Sequence, residues 1–447
     1  MKKLFFAVGL IWSIGAQSQE SVTALTLDDC VETAMNNNIG LMKAKNGEVI
    51  AESNRMQAIF NFFPSVSAGI NYDFFFGNFF DTNAARQVSA TTSSSAPNLS
   101  SSLTLFNGFS NQYRLSQSKQ RIISASENTK STALQVEADI MSAYLNVILD
   151  KENITIARER VELLKSQLER EVKRESVGVG NLESVYNFQG QLANQKLTLN
   201  NLENNLKRNL LTLFQAMQLD PNAGEYEVLG YEIQEEDLLL EAAPFSEVLE
   251  SCISNNPTLK SAQANYLASK YTLKSSKAQR LPTVTAFGRI GSNYSTNGAR
   301  NPTTGEFLPD ATLSDQMTFN EFEYVNFSMN IPLFTRFQTS GQVQVNKVAM
   351  INAELDVTLA MNNVTNLVQT AYLDLVTAQN TYVSAKENLE VATQTFDFMK
   401  KRFETGNTDF FTYMESLNNK NRAQLELVNS KYSIVFRQKI LELYQGS

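Results

Sequence analysis

Residues 64–74 read Pro64-Ser65-Val66-Ser67-Ala68-Gly69-Ile70-Asn71-Tyr72-Asp73-Phe74. Val66, Ala68, Ile70, Tyr72 and Phe74 alternate with Ser65, Ser67, Gly69, Asn71 and Asp73, a period of two with one apolar and one polar face. The pattern returns at Leu99, Ser101, Leu103 and Leu105, at Val284, Ala286, Gly288 and Ile290, and at Val325, Phe327, Met329 and Ile331. Four strands are expected, at about 64–76, 98–106, 282–294 and 322–333. Each reaches the ~9–11 residues that a tilted membrane-spanning strand needs. Aromatic residues gather at their ends (Phe60, Phe62, Phe63, Phe74 to Phe76, Phe322, Tyr324), as interfacial girdles do. Four strands cannot close a barrel, and an open edge is not tolerated in lipid. Several chains must then share one wall. Two chains give eight strands, a bore filled by side chains, whereas three give twelve and leave an aqueous lumen. Closure alone thus predicts a trimer.

Helices dominate the rest. The nine prolines all lie outside 98–220 and 333–447, which predicts two tracts of very long helix. In the second tract Val364, Val368, Ala371, Leu375, Ala378, Tyr382, Ala385, Leu389, Ala392, Phe396, Met399 and Phe403 recur in alternating steps of four and three, a coiled-coil seam. The first tract keeps the register from Val136 to Leu168, with Asp150 interrupting it and Glu171 and Glu175 replacing apolar residues near its end. A continuous helix over 108–176 would be about 100 Å long. Short turns follow each long helix, at 176–181 and 404–409, where Gly178 and Gly406 are expected as left-handed caps.

The chain is a doubled unit. An offset of 218 aligns Asn37-Asn38-Ile39-Gly40-Leu41 with Asn255-Asn256-Pro257-Thr258-Leu259, and Phe63-Pro64-Ser65-Val66 with Leu281-Pro282-Thr283-Val284. An offset of 228 aligns Leu105-Phe106 with Leu333-Phe334, Ala143-Tyr144-Leu145 with Ala371-Tyr372-Leu373, and Gly178 with Gly406. The expected organisation is a signal peptide at 1–18, a first repeat at 19–217, an acidic inter-repeat segment at 218–245 and a second repeat at 246–447. Met1–Lys3 is basic, Leu4–Ile14 apolar, and cleavage is expected after Ala16 or Ser18, which implies export.

Composition excludes several classes. Histidine is absent from the 447 residues, so no imidazole can act as base or metal ligand. Two cysteines cannot build a Cys₄ zinc site, and Cys30 and Cys252 read best as two separate buried thiols. A net charge of −8 argues against a nucleic-acid partner. Mean hydropathy of −0.25 is too polar for a bundle of spanning helices. There is no phosphate-cradling glycine loop and no nucleophile with a local base, so neither an enzyme nor a cofactor or metal site is expected. Asp28-Asp29, after Thr26, reads as a helix start rather than a catalytic pair.

Together these residues resemble the TolC-type outer-membrane efflux protein family over essentially the whole mature chain. The resemblance rests on Asn255–Leu259, the x-Pro-x-Val strand openings at 64 and 282, the Leu-Phe-x-x-Phe pieces at 105–109 and 333–337, and Gly178 and Gly406. It implies a mainly α fold with a transmembrane β-barrel: a homotrimer with a shared 12-stranded barrel and an α-helical tunnel, and 218–245 in a belt around it. It implies an outer-membrane exit duct with a large periplasmic portion, docked to a periplasmic adaptor protein and an inner-membrane transporter, of the efflux or type I secretion kind. The family's periplasmic gate maps onto Glu415, an acidic residue ringing the entrance. Thr412 stands where a second acid is common, Thr408 where a latch arginine occurs, and Phe403 in place of a tyrosine. Ser184 replaces a latch aspartate and Asn187 is kept, so charge near the tips comes from Asp409 and Glu183 instead. Gly178 and Gly406 would mark the adaptor-docking tips. The alternative from residues alone is a periplasmic or surface coiled-coil protein with a small β-domain. Fractionation to the outer membrane would separate the two.

Overall fold

In the computed structural model, the residues described are 23–81, 85–89, 91–220, 226–235, 238 and 243–446. The expected signal peptide and parts of the acidic segment lie outside them. The chain divides into two compact units: 1–42, 132–254 and 366–447 form one, and 43–131 with 255–365 the other.

In chain order the first half runs β1 (Thr23–Leu25), α1 (Leu27–Asn37), α2 (Ile39–Phe60), β2 (Ser65–Gly69), β3 (Tyr72–Phe75), β4 (Asn78–Asp81), β5 (Arg86–Ser89), β6 (Thr92–Ser95), β7 (Asn98–Asn107), α3 (Ser110–Ser176) and α4 (Leu182–Met217). The second runs β8 (Tyr226–Val228), α5 (Phe245–Asn255), α6 (Pro257–Ala278), β9 (Thr283–Gly291), β10 (Tyr294–Ser295), β11 (Ala299–Arg300), β12 (Phe307–Leu308), α7 (Leu313–Phe319), β13 (Phe322–Asn330), α8 (Gln338–Glu404) and α9 (Phe410–Gln445). α3 and α8 are each 67 residues long, unbroken by proline.

The unit containing 43–131 and 255–365 holds a four-stranded antiparallel sheet in the order β13-β9-β7-β2. Its register gathers most of the aliphatic residues on one face, with Phe287, Phe322 and Tyr324 on the other. Val66 lies opposite Ser101, Ala68 opposite Leu99, Leu99 opposite Ile290, Leu103 opposite Ala286, and Ala286 opposite Phe327. A bulge between Thr104 and Phe106 skips Leu105 and sets Phe106 opposite Val284, which Met329 joins from β13. The other face is laced by hydroxyls: Ser67 bonds Ser100 at 2.9 Å, and Thr285 bonds Ser328 at 2.7 Å. Val66, Val325, Phe327 and Met329 are all exposed in the single chain, near two-thirds of their surface. β2 and β13 are the edges.

The expected first strand, 64–76, is broken. It pairs with β7 only through Gly69, and Tyr72–Phe75 joins a separate small sheet, β10-β6-β3. The Ser/Thr/Asn-rich loops also carry β4-β5, β11-β12 and α7, which periodicity did not announce. Gln316 of α7 explains part of this order. Buried, its amide donates to Ser295 O and Ala311 O and accepts from Ser295 N.

The other unit is helical around a β1-β8 parallel pair, with Thr23 opposite Tyr226 and Leu25 opposite Val228. Thr26 caps α1 in a capping box with Asp29, whose carboxyl is held below the usual range chiefly by the Thr26 hydroxyl. Asn38 and Asn256 cap the next helix of each copy, accepting from Leu41 N at 3.0 Å and Leu259 N at 3.1 Å, which is the structural content of the asparagine motifs. One core cluster joins α1, α3, α4 and α9 through Cys30, Ile140, Tyr144, Leu213, Met217 and Phe436. Tyr144 also donates to Leu229 O at 2.8 Å. Cys30 and Cys252 are both buried and free. The coiled-coil seam of α8 is buried or half-buried from Val364 to Phe403. Its interruptions in α3 are answered locally: Asp150 accepts from Asn209 of α4 at 2.7 Å, and buried Glu171 pairs with Arg174 at 3.2 Å.

Candidate functional site

Both long helices end in the same way. At the first tip Gly178 N–H reaches Glu175 O at 2.9 Å and Val179 N–H reaches Arg174 O at 3.0 Å. At the second, Gly406 N–H reaches Phe403 O at 3.0 Å and Asn407 N–H reaches Arg402 O at 2.8 Å. Each is a Schellman turn, and Gly178 and Gly406 supply its left-handed residue with φ of 78° and 75°. Both glycines are exposed, with open space where a Cβ would stand. Gly180 is more constrained, since a Cβ there would lie 2.4 Å from Glu175 N.

The return helices start on side-chain caps. Asn181 accepts from Glu183 N at 2.9 Å. Asp409 accepts from Thr412 N at 3.0 Å and from the Thr412 hydroxyl at 2.6 Å, and these bonds hold its carboxyl below the usual range. The Asp409–Thr412 pair thus serves α9 as a cap. Glu415, one turn further, is exposed, and Asn187, its counterpart at the 228 offset, is half-buried. Ser184 and Thr408 are half-buried.

Phe403 is buried in an aromatic cluster that ties the two hairpins together. Its ring stacks on Tyr413 at 4.8 Å and 15°. Phe188, from α4, stands edge-on to Phe410 at 4.7 Å and 84°, and 6.0 Å from Phe403. Burial pushes the Tyr413 hydroxyl up to about 12. A second tie crosses the same hairpins, where Arg170 of α3 meets Glu404 of α8 at 2.7 Å. The Arg170 hydrogen bond holds the Glu404 carboxyl below its ordinary value. Sequence reasoning missed Phe188, Tyr413, Arg170 and Gly180. A signal for Phe188 exists: stepping back from Leu199 by four and three passes Gln195, Leu192, Phe188 and Val185, all four buried.

Among the described residues, no group of acidic or thiol side chains could hold a metal ion, and no helix is long and apolar enough to cross a membrane. The tips thus combine capped turns, exposed carboxylates and a buried aromatic core.

The comparisons agree with this architecture. The profile of the family described as Outer membrane efflux protein matches residues 30–217 and 248–447. Outer membrane efflux protein BepC of Brucella suis biovar 1 (strain 1330) is 17% identical over 331 residues, covering 74% of this chain and 67% of its own. Outer membrane protein TolC of Vibrio cholerae serotype O1 (strain ATCC 39315 / El Tor Inaba N16961) is 23% identical over 322 residues, covering 69% and 66%. The chain therefore spans about two-thirds of the length of these two relatives. Among solved structures, the outer membrane protein VceC of Vibrio cholerae superposes with a TM-score of 0.78 at 15% identity, covering 94% of this chain and 96% of its own. On its sheet, its paired long helices and this match, the chain belongs to the outer membrane efflux protein family and is an outer-membrane protein of TolC-like fold.

Proposed function

We propose that three copies of this chain form a passive exit duct of a tripartite efflux or type I secretion system. Each copy contributes β2, β7, β9 and β13 to a twelve-stranded barrel and its long helices to a tunnel across the periplasm. The carrying observation is the four-stranded sheet, with both edges unpaired among the described residues and its apolar face exposed. Lipid rewards that face and forbids those edges, so closure requires further copies. The hydroxyl-lined face then lines water. On this reading the first repeat is 19–217, the second 246–447, and 218–245 belongs to a belt between them.

The helix tips are the periplasmic entrance. Glu415 from three copies forms a carboxylate ring that favours cations. Asp409, Thr412, Thr408, Ser184 and Asn187 surround it, and Phe403 acts by packing the hairpins together. Gly178 and Gly406 present the surface to the periplasmic adaptor protein, through which the inner-membrane transporter delivers cargo. The experiment is fractionation and native mass spectrometry of the detergent-extracted protein. Outer-membrane recovery, heat-modifiable migration and a mass of three chains are expected, and a soluble periplasmic monomer would reject the duct. In planar bilayers Glu415→Ala is expected to lower cation selectivity, and unchanged selectivity would remove Glu415 from the gate.

A further inference from the structure

The chain is acidic overall, yet the stretches that flank its sheet on the helix side are basic. No Asp or Glu occurs from Asn98 to Ser126, from Pro257 to Gly291, or from Tyr324 to Ala353, the stretches of β7, β9 and β13 with the adjoining helix residues, whereas α2 before β2 carries Glu48 and Glu52. Those stretches carry Arg114, Lys119 and Arg121 on α3, Lys270, Lys274, Lys277 and Arg280 on or just after α6, and Arg336 before α8. All eight are exposed, and no described carboxylate lies within ion-pair distance of any of them. The segments at the other end of the strands have the opposite balance: Asp73, Asp81, Glu306, Asp310, Asp315, Glu321 and Glu323 against Arg86 and Arg300.

Three of the cations stand at strand–helix junctions. Arg280 is three residues before β9, Arg336 six after β13, and Arg114 seven after β7. Exposed apolar side chains accompany them at every junction: Phe60 and Phe63 before β2, Phe109 after β7, Leu281 before β9, and Leu333, Phe334 and Phe337 after β13. Guanidinium groups beside aromatic rings at the margin of an apolar wall make the signature of a headgroup layer, with rings in the acyl boundary and charge above it.

Two of the arginines also line a built cleft. A cavity of about 670 Å³ lies between α2, α3 and α6, with Arg114 and Arg121 two turns apart on one wall. Asn54, Gln57 and Asn61 of α2 and its following turn face it, as does Asn265 of α6, and no carboxylate lines it. Arg121 is held by Asn265 at 2.7 Å. The nearest acid on α2 by sequence, Glu52, is tied to Arg55 at 2.9 Å. Cations to hold a phosphodiester and amides to bond hydroxyls are therefore placed together, in helices that lead directly into the sheet.

We propose that this cleft and the surrounding basic belt bind anionic phospholipid headgroups of the bilayer leaflet on the helix side of the sheet, phosphatidylglycerol being the chemistry that fits phosphate and hydroxyls at once. The inference rests on the reading that the sheet spans a bilayer. The test uses the full-length assembled protein in mixed micelles of equal phosphatidylglycerol and phosphatidylethanolamine, with retained lipid measured by mass spectrometry after delipidation. Wild type is expected to retain phosphatidylglycerol preferentially, by about fivefold per engaged arginine. Arg114→Gln/Arg121→Gln should bring the ratio near parity, and Arg114→Lys/Arg121→Lys should keep most of it. An unchanged ratio in the glutamine variant overturns the proposal, as does equal retention of both lipids by wild type. Stabilisation by inorganic phosphate equal to that by phosphatidylglycerol also overturns it, in favour of a free-anion site. Heat-modifiable migration and outer-membrane recovery are scored on the same samples. If these fail, the membrane reading falls; if they hold without lipid preference, only the headgroup site does. Should the glutamine variant not assemble, loss of wild-type preference in high salt replaces it, and salt-insensitive retention overturns the proposal.

Discussion

The tips offer a measurable test of how firmly the two hairpins hold each other. Phe188 is fully buried on α4, while its ring partners Phe403, Phe410 and Tyr413 sit on α8 and α9 or their connecting turn. Truncating a buried phenylalanine to alanine costs about 3–5 kcal/mol, through lost burial and the cavity left behind. Every ring partner lies across the hairpin boundary, so the loss of these ring contacts falls on tip closure. Each 1.4 kcal/mol is a factor of ten, so Phe188→Ala should raise the locally opened fraction by at least about 100-fold where opening breaks these contacts. Hydrogen exchange of peptides covering 182–199 and 396–417 reads that fraction directly. Phe188→Leu keeps most of the volume and should cost about 1–1.5 kcal/mol, an increase of about tenfold or less. The control is Phe436→Ala, equally buried but in the other core cluster of the same unit. Tip exchange unchanged within about threefold in Phe188→Ala would refute the reasoning. So would an equal acceleration by Phe436→Ala, because the tips would then open only with the whole unit.

Further outcomes follow from neighbouring groups. The Glu404 carboxyl is depressed by Arg170, so its stabilisation is present above the ordinary glutamate range and is lost as pH falls through the depressed value. Both partners are over a third exposed, so Glu404→Gln should lower thermal stability by no more than about 1 kcal/mol at pH 7. Melting curves of the two proteins should converge only as pH falls below the depressed Glu404 value, and a gap that persists once that carboxyl is protonated would contradict the pairing. Gly178→Ala and Gly406→Ala should each cost about 1–2 kcal/mol from left-handed strain alone, with no clash. Gly180→Ala should cost more, because its Cβ meets backbone at 2.4 Å, and a smaller loss of melting temperature than in Gly178→Ala would refute that order. Burial pushes the Cys30 thiol up to about 12 and also raises Cys252, so neither should alkylate in the native protein at pH 8. Unfolding without reductant should expose two thiols to iodoacetamide by mass, and a disulfide would leave none.

What could be read from the sequence follows from how each feature is encoded. The α8 seam was legible because every third or fourth residue from Val364 to Phe403 repeats one decision, apolar or small against polar, and the packing confirms each position. The strands were legible for the same reason at period two, and the observed register keeps Val66, Leu99, Ala286 and Phe327 on one face. Features made by a single long-range encounter left no such trace. Nothing near Gln316 announces that its amide will serve the backbone of Ser295, or that this contact will help order a loop of serines and asparagines. Arg170 and Glu404 lie 234 residues apart and look like two ordinary surface charges. Phe403 belonged to two readings at once, the last seam position and a residue of the gate. Burial decides how those readings combine, because a ring stacked on Tyr413 cannot also line a pore. In the proposed gate its part is to hold the hairpins together through those contacts. In the duct we propose, the buried aromatic cluster governs the mouth from behind, while the exposed polar residues of the tips, Glu415 foremost, set what it passes.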